Sequence, residues 1–273
     1  METIIVGFDF SSGSAYAVDL AIDIANRWQA NINLVYVKEH NEDEEPIREE
    51  IERRNQGVAH LLRNIKLRYT IREGKVATEL AAQANEDNAS LIIVGTYGMS
   101  GPKNNWIGVN TYRTIAESSV PVLSLREDYN FKKDLERIVV PLDSTAATRQ
   151  KLPIALKFAK TFNSQIDILG LYTSDFQDLR SVVNNYVAQV ENYLKQHDIP
   201  FTSKCLKVAN NLTQTTLEYA SEIQADMIVI MTEQESKFKN LLLGSYAQQM
   251  LHQSTIPTLT VRPEDINNNC RIR

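Results

Sequence analysis

The chain has 273 residues, of which 43% are hydrophobic and 23% charged, with a formal net charge of −5. At roughly 150 residues per domain this length holds about two domains, and the composition is that of a soluble globular chain, which excludes a disordered or fibrous one. The acidic balance lacks the basic footprint of a nucleic-acid binder, and Cys205 and Cys270 are too far apart for a disulfide framework or a thiolate metal site.

The N-terminal segment METIIVGFDF has no basic region followed by a long apolar run, so it reads as an immediate first strand and not a signal peptide. The helical stripe Ala17, Leu20, Ala21, Ile24 and Trp28 follows, over Ser14 to Trp28. Ser11, Ser12 and Ser14 stand just before that stripe and are read as caps, not as a nucleophile. INLVYV is the second strand. Asn41 to Ile65 is the second helix, with Pro46 in its first turn and the acids Glu42 to Glu45 at the end that the helix dipole favours. KLRYTI, SLIIVG and PVLSL complete five short β-rich runs. The longest apolar runs, LIIVG and MIVIM, are strand-sized, well below the ~20 residues of a membrane span. A cytoplasmic chain with no membrane partner is expected.

The pattern then repeats. Asp9 and Asp143 end matching apolar runs at an offset of 134, and Ile32-Asn33-Leu34-Val35 matches Ile166-Asp167-Ile168-Leu169 at the same offset. Ser90 to Val94 matches Asp226 to Ile230, Gly108 matches Gly244, and Pro121 matches Pro257, now at an offset of 136. Two copies of one domain follow. The expected boundaries are a first domain at 1–126, a linker at 127–134, a second domain at 135–263 and a tail at 264–273. Strands this apolar, alternating with helices, indicate a doubly wound α/β architecture: a roughly five-stranded parallel sheet per copy with helices on both faces.

Ligands of such sheets bind at the carboxyl ends of the strands, near the point where strand order reverses. Asp9 falls at one such end. Leu91 to Val94 runs into Gly95, Gly98 and Gly108, spaced G-x2-G-x9-G; neither common nucleotide fingerprint is present. Glycines admit backbone N–H groups close to phosphate, and the helix opening near Gly108 presents further unpaired N–H groups. A turn-rich loop that requires positive φ is the alternative reading of the same glycines.

The Asp9 strand end, the G-x2-G-x9-G loop and the last strand Pro121 to Leu125 resemble the universal stress protein family, and both halves share the resemblance. It implies a tandem universal stress protein of Rossmann-like, nucleotide-hydrolase-like domains that binds ATP, with or without Mg2+, in domain one only. By that resemblance Gly7 and Asp9 line the nucleoside end and Val37 packs against the base. Val94, Gly95 and Gly98 lie beside the ribose and phosphates. Gly108, Val109, Asn110 and Thr111 hold phosphate oxygens. The family's hydroxyl residue after the last glycine is here Val109, a loss worth roughly 1.5–3 kcal/mol for a bond to a charged group, with Asn110 or Thr111 as partial substitutes. In domain two Met231, Gln234 and Lys237 replace Gly95, Gly98 and Gly101, and Glu233 and Glu235 add negative charge, so that copy is read as non-binding. The resemblance further implies an intramolecular pseudo-dimer through Pro121–Leu125 and Pro257–Val261. A homodimer of tandem chains and an unknown protein partner also remain open.

His40, His60, His197 and His252 lack metal spacing, and no nucleophile with a base and an orienting partner can be assembled. Tyr97 and Trp106 in the loop would cover a ligand or anchor the loop. The expectation is therefore an ATP-binding stress-response or regulatory protein and not an enzyme, with at most slow incidental hydrolysis. The alternatives are a nucleotide-independent interaction scaffold with a relic loop and, third, an adenylating enzyme.

Overall fold

A computed structural model describes residues 1–96, 108–126, 135–173, 177–208, 211–232 and 243–263. The chain divides into two compact units, Met1–Lys133 and Asp134–Arg273. The expected linker 127–134 and tail 264–273 lie outside the described residues.

Domain one runs β1 (Thr3–Gly7), α1 (Ser12–Trp28), β2 (Asn31–Lys38), α2 (Glu44–Val58), β3 (Leu67–Glu73), α3 (Val76–Glu86), β4 (Leu91–Gly95), α4 (Val109–Glu117) and β5 (Val122–Leu125). All four strand pairings are parallel, in the order β3-β2-β1-β4-β5. Strand order therefore reverses between β1 and β4. Ile4, Ile5, Ile32, Leu34, Leu91, Ile92 and Ile93 are fully buried, as central strands covered on both faces must be.

The helices start where side chains can satisfy their first N–H groups. Ser11 caps α1, its Oγ accepting from Ser14 N at 3.1 Å. Asp43 caps α2 by accepting from Glu45 N, so that helix begins at Glu44 and not at Asn41, whose φ of 67° is left-handed. It ends at Val58 and passes into a 3-10 turn at Ala59–Leu61, short of Ile65. Of the three serines expected to cap α1, Ser11 does so, while Ser12 and Ser14 lie inside the helix, and Glu44 and Glu45 stand in the first turn of α2 as expected of the acid run. Asn26 on α1 ties the segment after α2 with bonds to Leu61 O and Arg63 N.

Domain two repeats the plan: β6 (Arg137–Leu142), a 3-10 turn at Ala146–Arg149, α5 (Leu152–Phe162), β7 (Gln165–Tyr172), α6 (Gln177–Gln196), β8 (Phe201–Lys207), α7 (Leu212–Glu222), β9 (Met227–Met231), α8 (Ser245–Gln253) and β10 (Thr258–Val261). Its pairings are again all parallel, in the order β8-β7-β6-β9-β10. The two halves are thus tandem doubly wound α/β domains. The strands are not all buried, however: β3 is half-exposed and β8 mostly exposed, because each closes one side of its sheet. On β3 the cost of exposure is offset by charge. Arg72 donates to Glu79, Gln83 and Glu86 of α3 at 2.6, 2.8 and 2.9 Å.

Candidate functional site

Because every strand of domain one points the same way, the ends of β1, β2 and β4 share one sheet edge, and the β1/β4 reversal opens the crevice in which α/β folds bind ligands. Asp9 stands at that edge. Its Oδ1 accepts from Ser11 N at 3.1 Å and from Ser11 Oγ at 2.5 Å, and its own N–H reaches Ser14 Oγ at 3.4 Å. Asp143 makes the same set with Thr145 N, Thr145 Oγ1 and Thr148 Oγ1 in domain two. One carboxylate oxygen therefore holds the strand-to-helix turn in both copies, whatever else Asp9 does.

The glycines divide by role. A methyl on Gly7 would lie 3.1 Å from Val94 Cγ1 and 3.2 Å from Leu80 Cδ1, so Gly7 makes room for α3 and not for a ligand. A methyl on Gly95 would lie 2.7 Å from Gly13 C and 2.9 Å from Gly13 O: β4 ends against the backbone of α1's first turn. Gly108 is equally confined, with Thr96 O 3.0 Å from any Cβ placed there. These glycines are demanded by packing, which sequence spacing alone does not separate from phosphate approach. Gly98, Tyr97, Gly101 and Trp106 lie outside the described residues.

Gly108 N donates to Thr96 O at 2.8 Å while Thr96 N donates to Leu125 O at 2.8 Å, which closes the start of α4 onto the ends of β4 and β5. From that closure α4 begins. Gly108 is its N-cap with φ −60° and ψ 143°, and among the described residues no side chain caps it. Val109 and Asn110 are exposed at the first turn, Val109 by 64%. The first N–H groups of α4 have no partner within the helix, and the positive end of the helix dipole lies at them. Thr111 is a different case. Its hydroxyl donates to Gly95 O at 2.8 Å, which ties α4 to β4 and leaves no proton there for a phosphate. The hydroxyl expected to stand in for the one missing at Val109 is already engaged. Thr96 Oγ1, by contrast, is buried with no hydrogen-bond partner among the described residues.

Sequence reasoning missed an aromatic group at the same edge. Phe10, at φ 62°, lies 5.0 Å from Phe8 and 5.2 Å from Tyr36, ring centre to ring centre, and the Arg54 guanidinium lies 5.4 Å from the Phe8 ring. A bulky residue at positive φ is uncommon and marks a constrained turn. Tyr36 donates to Glu42 Oε1 at 2.9 Å; burial and that bond push its hydroxyl up to about 12. The signal was legible in retrospect as aromatics at positions 8, 10 and 36, each at or near the end of a strand. Val37 is half-buried one residue on, beside Arg72 in register.

Two doubly wound domains with parallel sheets, each with an aspartate turn after the first strand and a helix that a glycine opens after the fourth, define a tandem α/β protein. The model of the universal stress protein family matches residues 1–126 and 135–262, and the chain belongs to that family. Domain-sized similarity extends to the universal stress protein YxiE of Bacillus subtilis (strain 168), 30% identical over 45% of this chain and 97% of that protein. Whole-chain similarity of fold is found with a universal stress protein of Archaeoglobus fulgidus DSM 4304 (TM-score 0.76, 17% identity, 95% of this chain and 98% of that one). A functionally unknown protein of Pseudomonas aeruginosa PAO1 is also similar (TM-score 0.72, 14% identity, 96% and 93%). Among the described residues no helix is long and apolar enough to cross a membrane, and no group of three His, Cys, Asp or Glu side chains is placed to hold a metal ion.

Proposed function

We propose that domain one is an adenine-nucleotide-binding module that acts through occupancy and not through turnover, with ATP, with or without Mg2+, as its ligand. The observation that carries the reading is the N-terminus of α4, whose N-cap Gly108 has no side chain to offer and which starts at the β4 end of the switch-point crevice. The N–H groups at such a terminus are a ready anion site, and the phosphates would lie across Gly108, Val109 and Asn110. Two further features fit the remainder of the ligand. The unpartnered Thr96 hydroxyl offers a hydrogen bond that burial makes costly to leave unmade. The Phe10 and Tyr36 rings offer faces of the kind on which a planar base stacks. Asp9 would serve the nucleoside end.

In this reading domain two is the intramolecular counterpart of domain one and does not take a nucleotide, and the chain works in the cytoplasm through a protein partner. Light scattering of the purified chain reports whether it also pairs as a homodimer. The test of the nucleotide is a titration of ATP into the full chain and into Gly98→Trp. Saturable binding abolished in the variant supports the reading. Absence of saturable binding below millimolar ATP refutes it and leaves the nucleotide-independent scaffold.

A further inference from the structure

Domain two carries a cavity of about 210 Å³ at the carboxyl ends of β6, β7 and β9. Its wall is apolar in the main, with Leu142, Leu171, Leu212, Ile230 and Met231, and Tyr246 closes one side. Two substitutions between the copies line it. Gly95 of domain one corresponds to Met231 and Gly13 to Ala147, so the close approach of the Gly95 and Gly13 backbones in domain one is not repeated here. The helix responds. Domain one begins α1 at Ser12, whereas the corresponding stretch of domain two is a 3-10 turn, and α5 starts only at Leu152.

Into this cavity faces Lys151, at the position of Ala17 in domain one and 2% exposed. Its Nζ donates to Thr148 O at 2.6 Å and more distantly to Thr148 Oγ1 at 3.4 Å. An ammonium has three protons to give, and Lys151 makes no ion pair among the described residues. Asp143 lines the same cavity, yet one of its oxygens is held by Thr145, and its attraction for Lys151 acts from beyond ion-pair distance. A buried charge with an uncommitted donor and an apolar space in front of it is an arrangement that a bound counter-charge completes.

We propose that this cavity binds a small organic monocarboxylate, its apolar body against Leu171, Ile230 and Met231 and its carboxylate on Nζ of Lys151. Size selects the class. An apolar cavity of about 150 Å³ accommodates benzene, so 210 Å³ accommodates such a ring with a carboxylate, or a branched aliphatic acid of similar bulk. A nucleoside triphosphate belongs to sites several times larger. The site is separate from the nucleotide reading of domain one, and each stands or falls without the other.

The test uses the full chain with benzoate as the probe, followed by ligand-observed NMR, and benzamide as the uncharged control. Saturable benzoate binding is expected, with benzamide weaker. In Lys151→Met the affinity for benzoate drops by roughly tenfold or more, the factor one charge-assisted hydrogen bond supplies. Leu212→Trp, at the partly exposed rim, keeps the ammonium but obstructs the space, and it too loses binding. Hydrogen exchange of the 152–162 amides confirms that each variant remains folded. The proposal is overturned if benzoate does not bind saturably, if benzamide matches it, or if Lys151→Met binds benzoate as the parent does.

Discussion

Lys151→Met should stabilise domain two at neutral pH, and the advantage should turn into a slight deficit in alkali. Complete burial lowers the Lys151 ammonium from 10.5 to about 8, with the Asp143 charge opposing the shift only in part. The unfolded chain therefore binds a proton more readily than the folded one. Below pH 8 both states carry the charge and the fold bears its whole desolvation cost; a depression of about 2.5 pH units corresponds to roughly 3 kcal/mol. As pH rises from 8 to 10.5 that cost is removed and the parent protein gains stability. Methionine never bears it, though it forfeits the Thr148 bond, worth about 1 kcal/mol. The expected result is a variant more stable by about 2 kcal/mol at pH 7, with the difference falling by about 3 kcal/mol between pH 8 and 10.5. Urea titrations with hydrogen exchange of the 152–162 amides as readout isolate domain two from domain one. Taking parent minus variant cancels the other groups that titrate in this window. A difference that stays flat across it would refute the buried-ammonium account.

Three further outcomes are expected. Gly95→Ala should destabilise domain one by about 1–3 kcal/mol, the usual cost of overpacking, because its methyl meets Gly13 backbone at 2.7 Å and neither segment can yield alone; chemical denaturation followed at Trp28 measures it. Arg137→Ala should cost domain two roughly 3–5 kcal/mol, the penalty of stranding a buried carboxylate, since Asp167 is fully buried and takes a bidentate pair from Arg137 at 3.0 and 2.7 Å. The lower end is favoured because the Arg137 side chain is one-third exposed, and Arg137→Ala/Asp167→Asn should recover much of the loss. Asn110→Asp should move stability and binding in opposite directions. A carboxylate in the first turn of α4 favours the helix by about 0.3–1 kcal/mol while repelling phosphate, so melting temperature should rise as ATP affinity falls.

What could be read from the sequence was what neighbouring residues decide. The strand ends at Asp9 and Asp143, the Ser11 cap and the strand runs rest on contacts a few residues long, and the repeat places the strands and both aspartates twice. What could not be read rests on contacts across the fold. Gly95 needs its missing Cβ because of Gly13, 82 positions earlier in the chain, so its glycine reads equally well as a phosphate residue. Thr111 looks available to a ligand until its hydroxyl is found on Gly95 O. Lys151 passes for a surface residue at a helix start; only the 3-10 turn before α5 and the bulk of Met231 turn it inward beside a cavity. The reading of domain two as a non-binding copy rests on Met231, Gln234 and Lys237 with the charges of Glu233 and Glu235; of these only Met231 lies among the described residues, and its side chain forms one wall of a smaller space.

The central claim, that α4 of domain one receives the phosphates of a nucleotide, is tested most directly by hydrogen exchange of the full chain with and without saturating ATP. The account predicts slowed exchange at the amides of residues 109–111, which no side chain caps among the described residues, together with no change at the corresponding start of α8, residues 245–247. Unchanged exchange at 109–111 under ATP, or protection confined to 245–247, would contradict it.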